Sequence, residues 1–210
     1  MSSSPVPMGG ILIAVTGPSG SGKTSVCKAL LAGFPQIRFS VSLTTRPPRP
    51  AEVDGEDYHF VSEAEFRERI RRGDLIEWAE NYGQLYGTSR EALEEALEGN
   101  DLLLDVDTRG ARALKKAWPG GIFVFIVPPS IGELERRLRD RGSETEETIR
   151  RRFDNALREI REIVWYDYVI VNDELDAAID RLRAVYLAEK CRRERMMEKI
   201  KPFFERSGGV

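Results

Sequence analysis

The sequence predicts an α/β fold in which a parallel β-sheet is flanked by helices, and three observations support that prediction. Four short, mostly apolar runs, residues 11–15, 102–107, 122–127 and 168–173, have the composition of strands buried on both faces. Helical patterns of apolar residues lie between these runs. A glycine-rich segment, residues 17–24, joins the first run to the first helical pattern, which is a recurrent connection in folds of this class.

Size and composition limit the classes of protein to be considered. A chain of 210 residues suits one α/β domain with inserted lobes, and a net charge of −3 gives no global reason to expect nucleic acid or a membrane as partner. No apolar run reaches the roughly 18 residues of a membrane-spanning helix. Cys27 and Cys191 lack ligand-like spacing and are expected to be reduced thiols of a cytoplasmic protein. Residues 1–10 are expected to form a flexible leader rather than a signal peptide.

The glycine-rich segment GPSGSGKT fills every fixed position of the phosphate-binding pattern G-x-x-x-x-G-K-[ST]. Its glycines let successive backbone N–H groups point inward at a helix N-terminus, where the helix dipole favours an anion. Lys23 would reach the β- and γ-phosphates of a nucleotide, and the Thr24 hydroxyl would ligate Mg²⁺. The residues expected to surround the phosphates are Gly17, Pro18, Ser19, Gly20, Ser21, Gly22, Lys23 and Thr24.

The helix that follows should end near Gly33, and the chain then enters a proline-rich segment, residues 41–50. Arg46 and Arg49 stand three residues apart on this stiff segment and suit a clamp for a phosphate, because guanidinium groups bind oxyanions in a bidentate way. A solvated basic loop explains the same residues equally well. Residues 55–61 are expected to form a strand that carries Tyr58.

Residues 62–73 predict a short helix, which a capping box opens and a glycine closes. The apolar run at residues 75–79 contains Glu77, whose charge would be costly if buried without a partner; a position facing water is the simpler interpretation. Residues 82–88 are expected to form a turn. Thr88 would then be the N-cap of a helix that runs to Leu97.

The second half of the chain contains acids after a strand and many arginines. Asp105 and Asp107 end the predicted strand at the edge where open α/β sheets bind ligands, and Asp105 could serve Mg²⁺. Residues 133–158 predict two helices with arginines on both, which is typical either of a charged surface or of a lid that brings arginines over phosphates. Residues 191–205 have mixed charge and are expected to be a solvated helix or a frayed end.

These motifs together resemble those of guanylate kinases, from about residue 11 to residue 190. The resemblance rests on GPSGSGKT, SVSLTTRPPRPAEVDGEDYHFV, IEWAENYGQLYGT, LLLDVDTRGA, RRLRDRGSETEETIRRRF and VIVND, of which the second is far more specific than the phosphate loop. It implies a P-loop kinase core with a five-stranded parallel sheet. It also implies a nucleoside-monophosphate-binding lobe at about 42–90 and a helical lid at about 133–158, with residues 191–210 as a charged extension.

The resemblance also implies roles for individual residues, with ATP and Mg²⁺ as donor complex and GMP as acceptor. The residues that would hold the GMP phosphate are Arg46, Arg49, Tyr58 and Tyr86. Those that would recognise the guanine are Ser42, Glu77, Thr88 and Asp107. The catalytic cations would be Lys23 with the lid arginines Arg137, Arg141 and Arg152, and Asn172 would lie near the adenine of ATP. On this basis Glu77 becomes a base-recognising residue, and the arginine pair becomes the phosphate clamp.

Two positions depart from the family pattern. Arg109 stands where the family usually has glutamine, and Ala51 stands where it usually has glycine before Glu52. The second departure predicts an altered loop after the arginine pair. Neither removes a proposed ligand.

The implied reaction is ATP + GMP → ADP + GDP by in-line phosphoryl transfer, a step of purine nucleotide metabolism. It needs no general base, because a phosphate monoester with a second pKa near ~6 is mostly a dianion at neutral pH. Two alternatives are a non-catalytic scaffold domain of the same family and a P-loop kinase that acts on another phosphorylated acceptor. A homo-oligomer is compatible with the sequence.

Overall fold

The computed structural model describes residues 9–81, 83–140 and 145–206. The strands in this part of the chain are β1 (Leu12–Thr16), β2 (Ile37–Phe39), β3 (Leu43–Thr44), β4 (His59–Phe60), β5 (Leu75–Asn81), β6 (Gln84–Ser89), β7 (Asp101–Asp105), β8 (Ile122–Val127) and β9 (Tyr168–Val171). The α-helices are α1 (Lys23–Gly33), α2 (Glu63–Arg72), α3 (Arg90–Leu97), α4 (Thr108–Ala117), α5 (Ile131–Arg139), α6 (Glu146–Ile160), α7 (Leu175–Lys190) and α8 (Arg193–Arg206).

The central sheet is parallel throughout and has five strands in the order β2-β7-β1-β8-β9. This result confirms the predicted fold class. Alternate residues of β1 point to opposite faces, so that Ile13 packs with α1 and α7, whereas Leu12 and Ala14 pack with α3 and α4. Both faces of β1 are therefore buried, which explains why the strand is an uninterrupted apolar run.

A second, smaller sheet of four strands in the order β4-β3-β6-β5 lies within residues 42–90. Its core consists of Leu43, Phe66, Leu75 and Leu85. The expectation of a turn over residues 82–88 is wrong, because β6 pairs antiparallel with β5 over most of that segment. The connection is short, and Gly83 adopts a φ of 76°, which is the left-handed conformation that tight hairpins require. The strand expected over 55–61 is reduced to the two residues of β4.

The two predicted helices of the arginine-rich segment are α5 and α6. They pack against each other through Leu134, Leu138, Ile149 and Ala156. Residues 141–144 lie outside the described part of the chain, and Arg141 is among them. The tail is helical as α8, and none of the described helices is long and apolar enough to cross a membrane.

A buried acid, Asp101, connects α7 to Ile11, the residue that precedes β1. One carboxylate oxygen accepts a hydrogen bond of 2.7 Å from the backbone N–H of Ile11. The other accepts bonds from the Tyr186 hydroxyl at 2.6 Å and from Nζ of Lys190 at 2.7 Å. Burial raises the pKa of Asp101, but these hydrogen bonds and the Lys190 charge outweigh it and lower the pKa below its ordinary value.

Candidate active site

The phosphate-binding loop connects the carboxyl end of β1 to the N-terminus of α1. Gly20 and Gly22 have φ angles of 89° and 83°, a conformation that residues with a Cβ rarely adopt. Gly22 is the N-cap of α1, so the loop places its backbone N–H groups where the helix dipole is positive. These features agree with the predicted phosphate site, and phosphate binding by the loop stays a prediction.

Asn172, which follows β9, contacts the phosphate loop through its side-chain amide. Its Nδ2 donates a hydrogen bond of 2.7 Å to the carbonyl oxygen of Ser21, and the side chain is buried. A Cβ on Gly22 would lie 2.2 Å from that nitrogen, so the loop and Asn172 fit together only with glycine at this position. The amide group thus positions the loop, and the contact with adenine stays a prediction.

Lys23 forms an ion pair and hydrogen bond with Asp105, the last residue of β7. Burial lowers the pKa of Lys23, but the Asp105 carboxylate raises it more, and the net pKa is above the ordinary value. Lys23 therefore stays cationic. The pair forms because β1 and β7 are parallel neighbours with Val15 opposite Asp105, so the loop begins beside this carboxylate.

The Thr24 hydroxyl and the Asp105 carboxylate both line the same cleft and offer the oxygen ligands that Mg²⁺ prefers. Among the described residues, no group of three or more His, Cys, Asp or Glu side chains could hold a metal. The oxygens of Thr24 and Asp105 fit Mg²⁺, which keeps several waters and binds substrate phosphates besides one or two protein oxygens.

The cleft encloses about 430 Å³ between the phosphate loop, the second sheet and α6. The predicted site residues that line it, besides the loop, are Ser42, Tyr58, Glu77, Tyr86, Asp105 and Asp107. Thr88 lies just behind Glu77. The structure thus brings most predicted GMP-binding residues and the phosphate loop to one cavity.

Glu77 is buried in the wall of this cleft, with 6% of its surface exposed, so the interpretation that it faces water is wrong. The Thr88 hydroxyl donates a hydrogen bond of 2.6 Å to its Oε1. Burial raises the pKa of Glu77 to about 7; the Thr88 hydrogen bond opposes this shift and the Asp107 charge adds to it. Thr88 is consequently not the N-cap of α3; Ser89 takes that role and accepts a bond from the N–H of Ala92 at 3.3 Å.

Asp107 caps α4 and faces the cleft at the same time. Its Oδ1 accepts a hydrogen bond of 2.8 Å from the N–H of Gly110. A Cβ on Gly110 would lie 2.6 Å from Oε2 of Glu77, so glycine is what lets α4 approach this carboxylate closely. Two acidic side chains therefore converge on one end of the cleft.

Arg46 and Arg49 differ in their surroundings. Nη1 and Nη2 of Arg46 each donate a hydrogen bond of 2.8 Å to the Glu52 carboxylate, and this pairing is the main reason why the pKa of Arg46 is raised. The same pairing, helped by the N–H of Arg49, lowers the pKa of Glu52 to about 2. The Arg46 guanidinium lies 5.2 Å from the ring centroid of Tyr58. The Arg49 side chain is 74% exposed.

A sequence model described as guanylate kinase matches residues 10–189. The chain belongs to the guanylate kinase family. The guanylate kinase of Geobacter metallireducens is 49% identical over 197 residues, which cover 93% of this chain and 97% of that one. The guanylate kinase of Syntrophus aciditrophicus is 52% identical over 192 residues, covering 91% and 92% of the two chains.

A crystal structure of guanylate kinase from Anaplasma phagocytophilum is 32% identical, with a TM-score of 0.75, and covers 95% of this chain and 97% of that one. A shikimate kinase from Bacteroides thetaiotaomicron, 19% identical over 83% of this chain and 97% of its own with a TM-score of 0.51, resembles it in fold alone. These findings confirm the resemblance inferred from the motifs.

Two of the predicted lid arginines, Arg137 and Arg152, do not line the cleft, and Arg141 lies outside the described residues. Arg137 donates from Nε to Glu133 at 2.6 Å and from Nη2 to the carbonyl oxygen of Asn172 at 3.1 Å, so it lies beside the residue that holds the phosphate loop. Arg152 is half-buried on α6. A catalytic role for these side chains requires the lid to move over the loop, and it stays a prediction.

Sequence reasoning missed two cleft residues on α6, Asn155 and Glu159. Burial raises the pKa of Glu159 to about 7, the Asp107 charge adds to this and Lys23 opposes it. The two residues stand four apart and so share one helix face, next to the apolar positions Ala156 and Ile160. That adjacency to the buried stripe was the available signal.

The two departures from the family pattern leave the cleft intact. Arg109 is exposed on α4, and its Nη1 is 3.5 Å from the carbonyl oxygen of Glu80. It lines a neighbouring cavity of about 680 Å³ between α4 and α6. Ala51 is exposed, and Glu52 beside it still pairs with Arg46.

Proposed function

We propose that this protein catalyses ATP + GMP → ADP + GDP. One observation carries the proposal: a single cleft joins a phosphate-binding loop to a buried carboxylate, Glu77, with Asp107 beside it. Guanine matches this end of the cleft because its N1–H and 2-amino group are adjacent donors on one flat edge. Family membership over nearly the whole chain supports the same reaction.

The donor end of the cleft would bind the phosphates of ATP. The loop N–H groups and Lys23 would hold the β- and γ-phosphates, and Asn172 would keep the loop in its binding conformation. Thr24 and Asp105 would hold Mg²⁺, which neutralises charge on the β- and γ-phosphate oxygens. Lys23, now paired with Asp105, would then turn to the phosphates.

The acceptor end would recognise guanine by its hydrogen-bond donors. Guanine presents N1–H and a 2-amino group on one edge, and an ionised carboxylate is an acceptor-only group, so Glu77 would accept from both. Asp107 would accept a further bond from the 2-amino group, and Ser42 would donate to O6. Thr88 would act through Glu77, whose Oε1 it fixes at 2.6 Å. Arg46, Arg49, Tyr58 and Tyr86 would hold the phosphate of GMP.

The chemical step follows from positioning and charge. An oxygen of the GMP phosphate attacks the γ-phosphorus of ATP, and the bond from that phosphorus to the bridging oxygen breaks as ADP leaves. Closure of the lid would bring Arg137, Arg141 and Arg152 over the equatorial oxygens and exclude water that competes as acceptor. The intact loop, Asp105 and these arginines argue against a non-catalytic scaffold. We also propose that the protein acts in the cytoplasm, in purine nucleotide metabolism.

A coupled assay of ATP against each nucleoside monophosphate tests the proposal. AMP lacks the 2-amino group, and its N1 carries a lone pair that would face the Glu77 carboxylate. A site built to accept hydrogen bonds can reject an analogue without the donors by roughly 10⁴-fold, so we expect a preference for GMP over AMP of that order in kcat/KM. Turnover of AMP within tenfold of GMP would overturn the assignment. Glu77→Ala should lose GMP turnover while AMP turnover stays poor.

A further inference from the structure

Glu52 has no role in the proposed reaction, yet its carboxylate forms a bidentate ion pair with Arg46, a residue proposed to hold the GMP phosphate. It is half-buried, with 15% of the side chain exposed, and accepts one hydrogen bond of 2.8 Å from each terminal nitrogen of Arg46. Its Oε2 also accepts a bond of 2.7 Å from the backbone N–H of Arg49. Glu52 therefore joins the backbone and one side chain of the arginine-bearing loop.

The hydrogen-bond pattern determines which part of Arg46 remains available. A guanidinium carries five N–H groups and can bind a planar oxyanion along two different edges. Glu52 takes the edge formed by Nη1 and Nη2, and the carbonyl oxygen of Pro47 accepts the second Nη1–H at 2.8 Å. Glu52 and Pro47 leave the second edge, formed by Nε–H and the remaining Nη2–H, to other partners, and the Tyr86 side chain is one group that interacts with the guanidinium and raises its pKa.

The aromatic neighbours of the guanidinium include residues that line the cleft. Arg46 lies 5.2 Å from the ring centroid of Tyr58 and 5.8 Å from that of Phe60. Tyr58 and Tyr86 have ring centroids 6.0 Å apart, and both line the cleft. A phosphate bound beside these two tyrosines would meet a cation whose orientation Glu52 already fixes.

We infer that Glu52 is a positioning residue for GMP: it holds Arg46 by one edge so that the other edge is presented to the phosphate of the acceptor. The inference rests on the proposed function. Preorganisation of this kind raises affinity, because the side-chain entropy of arginine is lost before the ligand binds.

A carboxylate in this place could instead compete with the phosphate for Arg46. The bond from the Arg49 N–H argues against that role, because Glu52 is anchored to the loop and does not rely on Arg46 alone for its position. The two roles predict opposite signs, since loss of a competitor strengthens GMP binding and loss of a positioning group weakens it.

The test is a double-mutant cycle with Glu52→Ala, Arg46→Ala and the double variant, with GMP, guanosine and ATP titrated by calorimetry. We expect Glu52→Ala to weaken GMP binding roughly five- to tenfold, because the Arg46 side chain must then be ordered when the ligand binds. Guanosine and ATP should bind as to the wild type, since neither places a phosphate against Arg46. In the Arg46→Ala background, Glu52→Ala should change GMP affinity by less than about twofold, because coupled residues are non-additive.

Matched variants keep the result interpretable. Glu56→Ala removes another acid from the same segment, one that is exposed, and should leave all three affinities unchanged. If Glu52→Ala does not fold, Glu52→Gln carries the test: its amide oxygen can accept from one Arg46 nitrogen but its NH₂ opposes the other, so a smaller loss of GMP affinity is expected. Tighter GMP binding, an equal loss for guanosine, or additive effects in the cycle would overturn the inference. A wild-type protein that binds GMP without phosphorylating it would instead overturn the proposed function.

Discussion

The Thr88 hydroxyl donates a hydrogen bond of 2.6 Å to Oε1 of Glu77, across neighbouring strands β6 and β5 in which the two residues stand opposite each other. This bond fixes the orientation of the Glu77 carboxylate. Burial disfavours the ionised form of that carboxylate and raises its pKa to about 7. Guanine recognition requires the ionised form. The protonation of Glu77 and the binding of guanine are therefore linked.

We expect the affinity for guanosine to fall as the pH is lowered through 7. Because the bound base stabilises the ionised carboxylate, binding below the pKa of about 7 must release a proton. One pH unit below that pKa the affinity should be about tenfold lower, and calorimetry in buffers of different ionisation enthalpy measures the proton released. Guanosine is used because it lacks the phosphate, which titrates near ~6.

Two variants distinguish the effect of Glu77 from that of Glu159, the other acid of the cleft whose pKa is raised. Glu77→Gln should bind guanosine weakly and with a flat pH profile, whereas Glu159→Gln should keep the profile of the wild type. A wild-type affinity that is constant from pH 6 to pH 8 would contradict the role of Glu77.

Lys23→Ala should lower kcat by more than about a hundredfold, because removal of one group that stabilises transition-state charge typically has an effect of that size. The variant also leaves the Asp105 carboxylate without its cationic partner, so its folding should be checked by circular dichroism. Lys28→Ala, an exposed lysine on the same helix, is the matched control. A loss smaller than about tenfold would show that Lys23 does not act on the transferred phosphate.

Arg46→Ala should weaken GMP binding more than Arg49→Ala does, and neither should change ATP binding much. Arg46 is held in place by Glu52 and flanked by Tyr58, whereas the Arg49 side chain is 74% exposed and must be ordered when the ligand binds. Calorimetric titration of each nucleotide measures the difference. Arg67→Ala, an exposed arginine on α2, serves as control, and equal losses for GMP and ATP would refute the clamp.

Gly22→Ala should weaken ATP binding and destabilise the fold. The left-handed conformation at φ 83° costs of order 1–3 kcal/mol for a residue with a Cβ, and the new methyl group would displace the Asn172 amide from Ser21. Gly99→Ala is the control, because a Cβ there meets nothing within 4 Å. Thermal unfolding and ATP titration of both variants check the prediction, and unchanged ATP affinity in Gly22→Ala would mean that Asn172 does not position the loop.

Local patterns were sufficient where one rule decides the structure. The apolar run of β1 and the glycines of the loop have one interpretation each, and both agree with the structure. Thr88 and Ser89 both satisfy the rule for an N-cap, and the choice between them depends on Glu77, eleven residues earlier in sequence. Residues 82–88 resemble a turn because they include two glycines and several polar residues, and only the pairing with β5 makes most of this segment a strand.

The partners of the arginines at the site also depend on the tertiary structure and could not be predicted from local patterns. Sequence identifies a guanidinium but not its partner, and Arg137 is paired with Glu133, one helical turn earlier on α5. Glu159 escaped notice because an acid on a helix that carries many charges is usually solvated.

The Asp101 network has a consequence for where the chain can be shortened. The family match ends at residue 189, one residue before Lys190, the cation that balances the buried Asp101 carboxylate. A protein cut at the edge of the family match would keep the acid and discard its counter-ion. Because Asp101 also accepts from the N–H of Ile11, the uncompensated charge would act at the first residues of the strand that leads into the phosphate loop. The domain therefore needs Lys190, one residue beyond the end of the family match, to keep the Asp101 carboxylate paired with a cation.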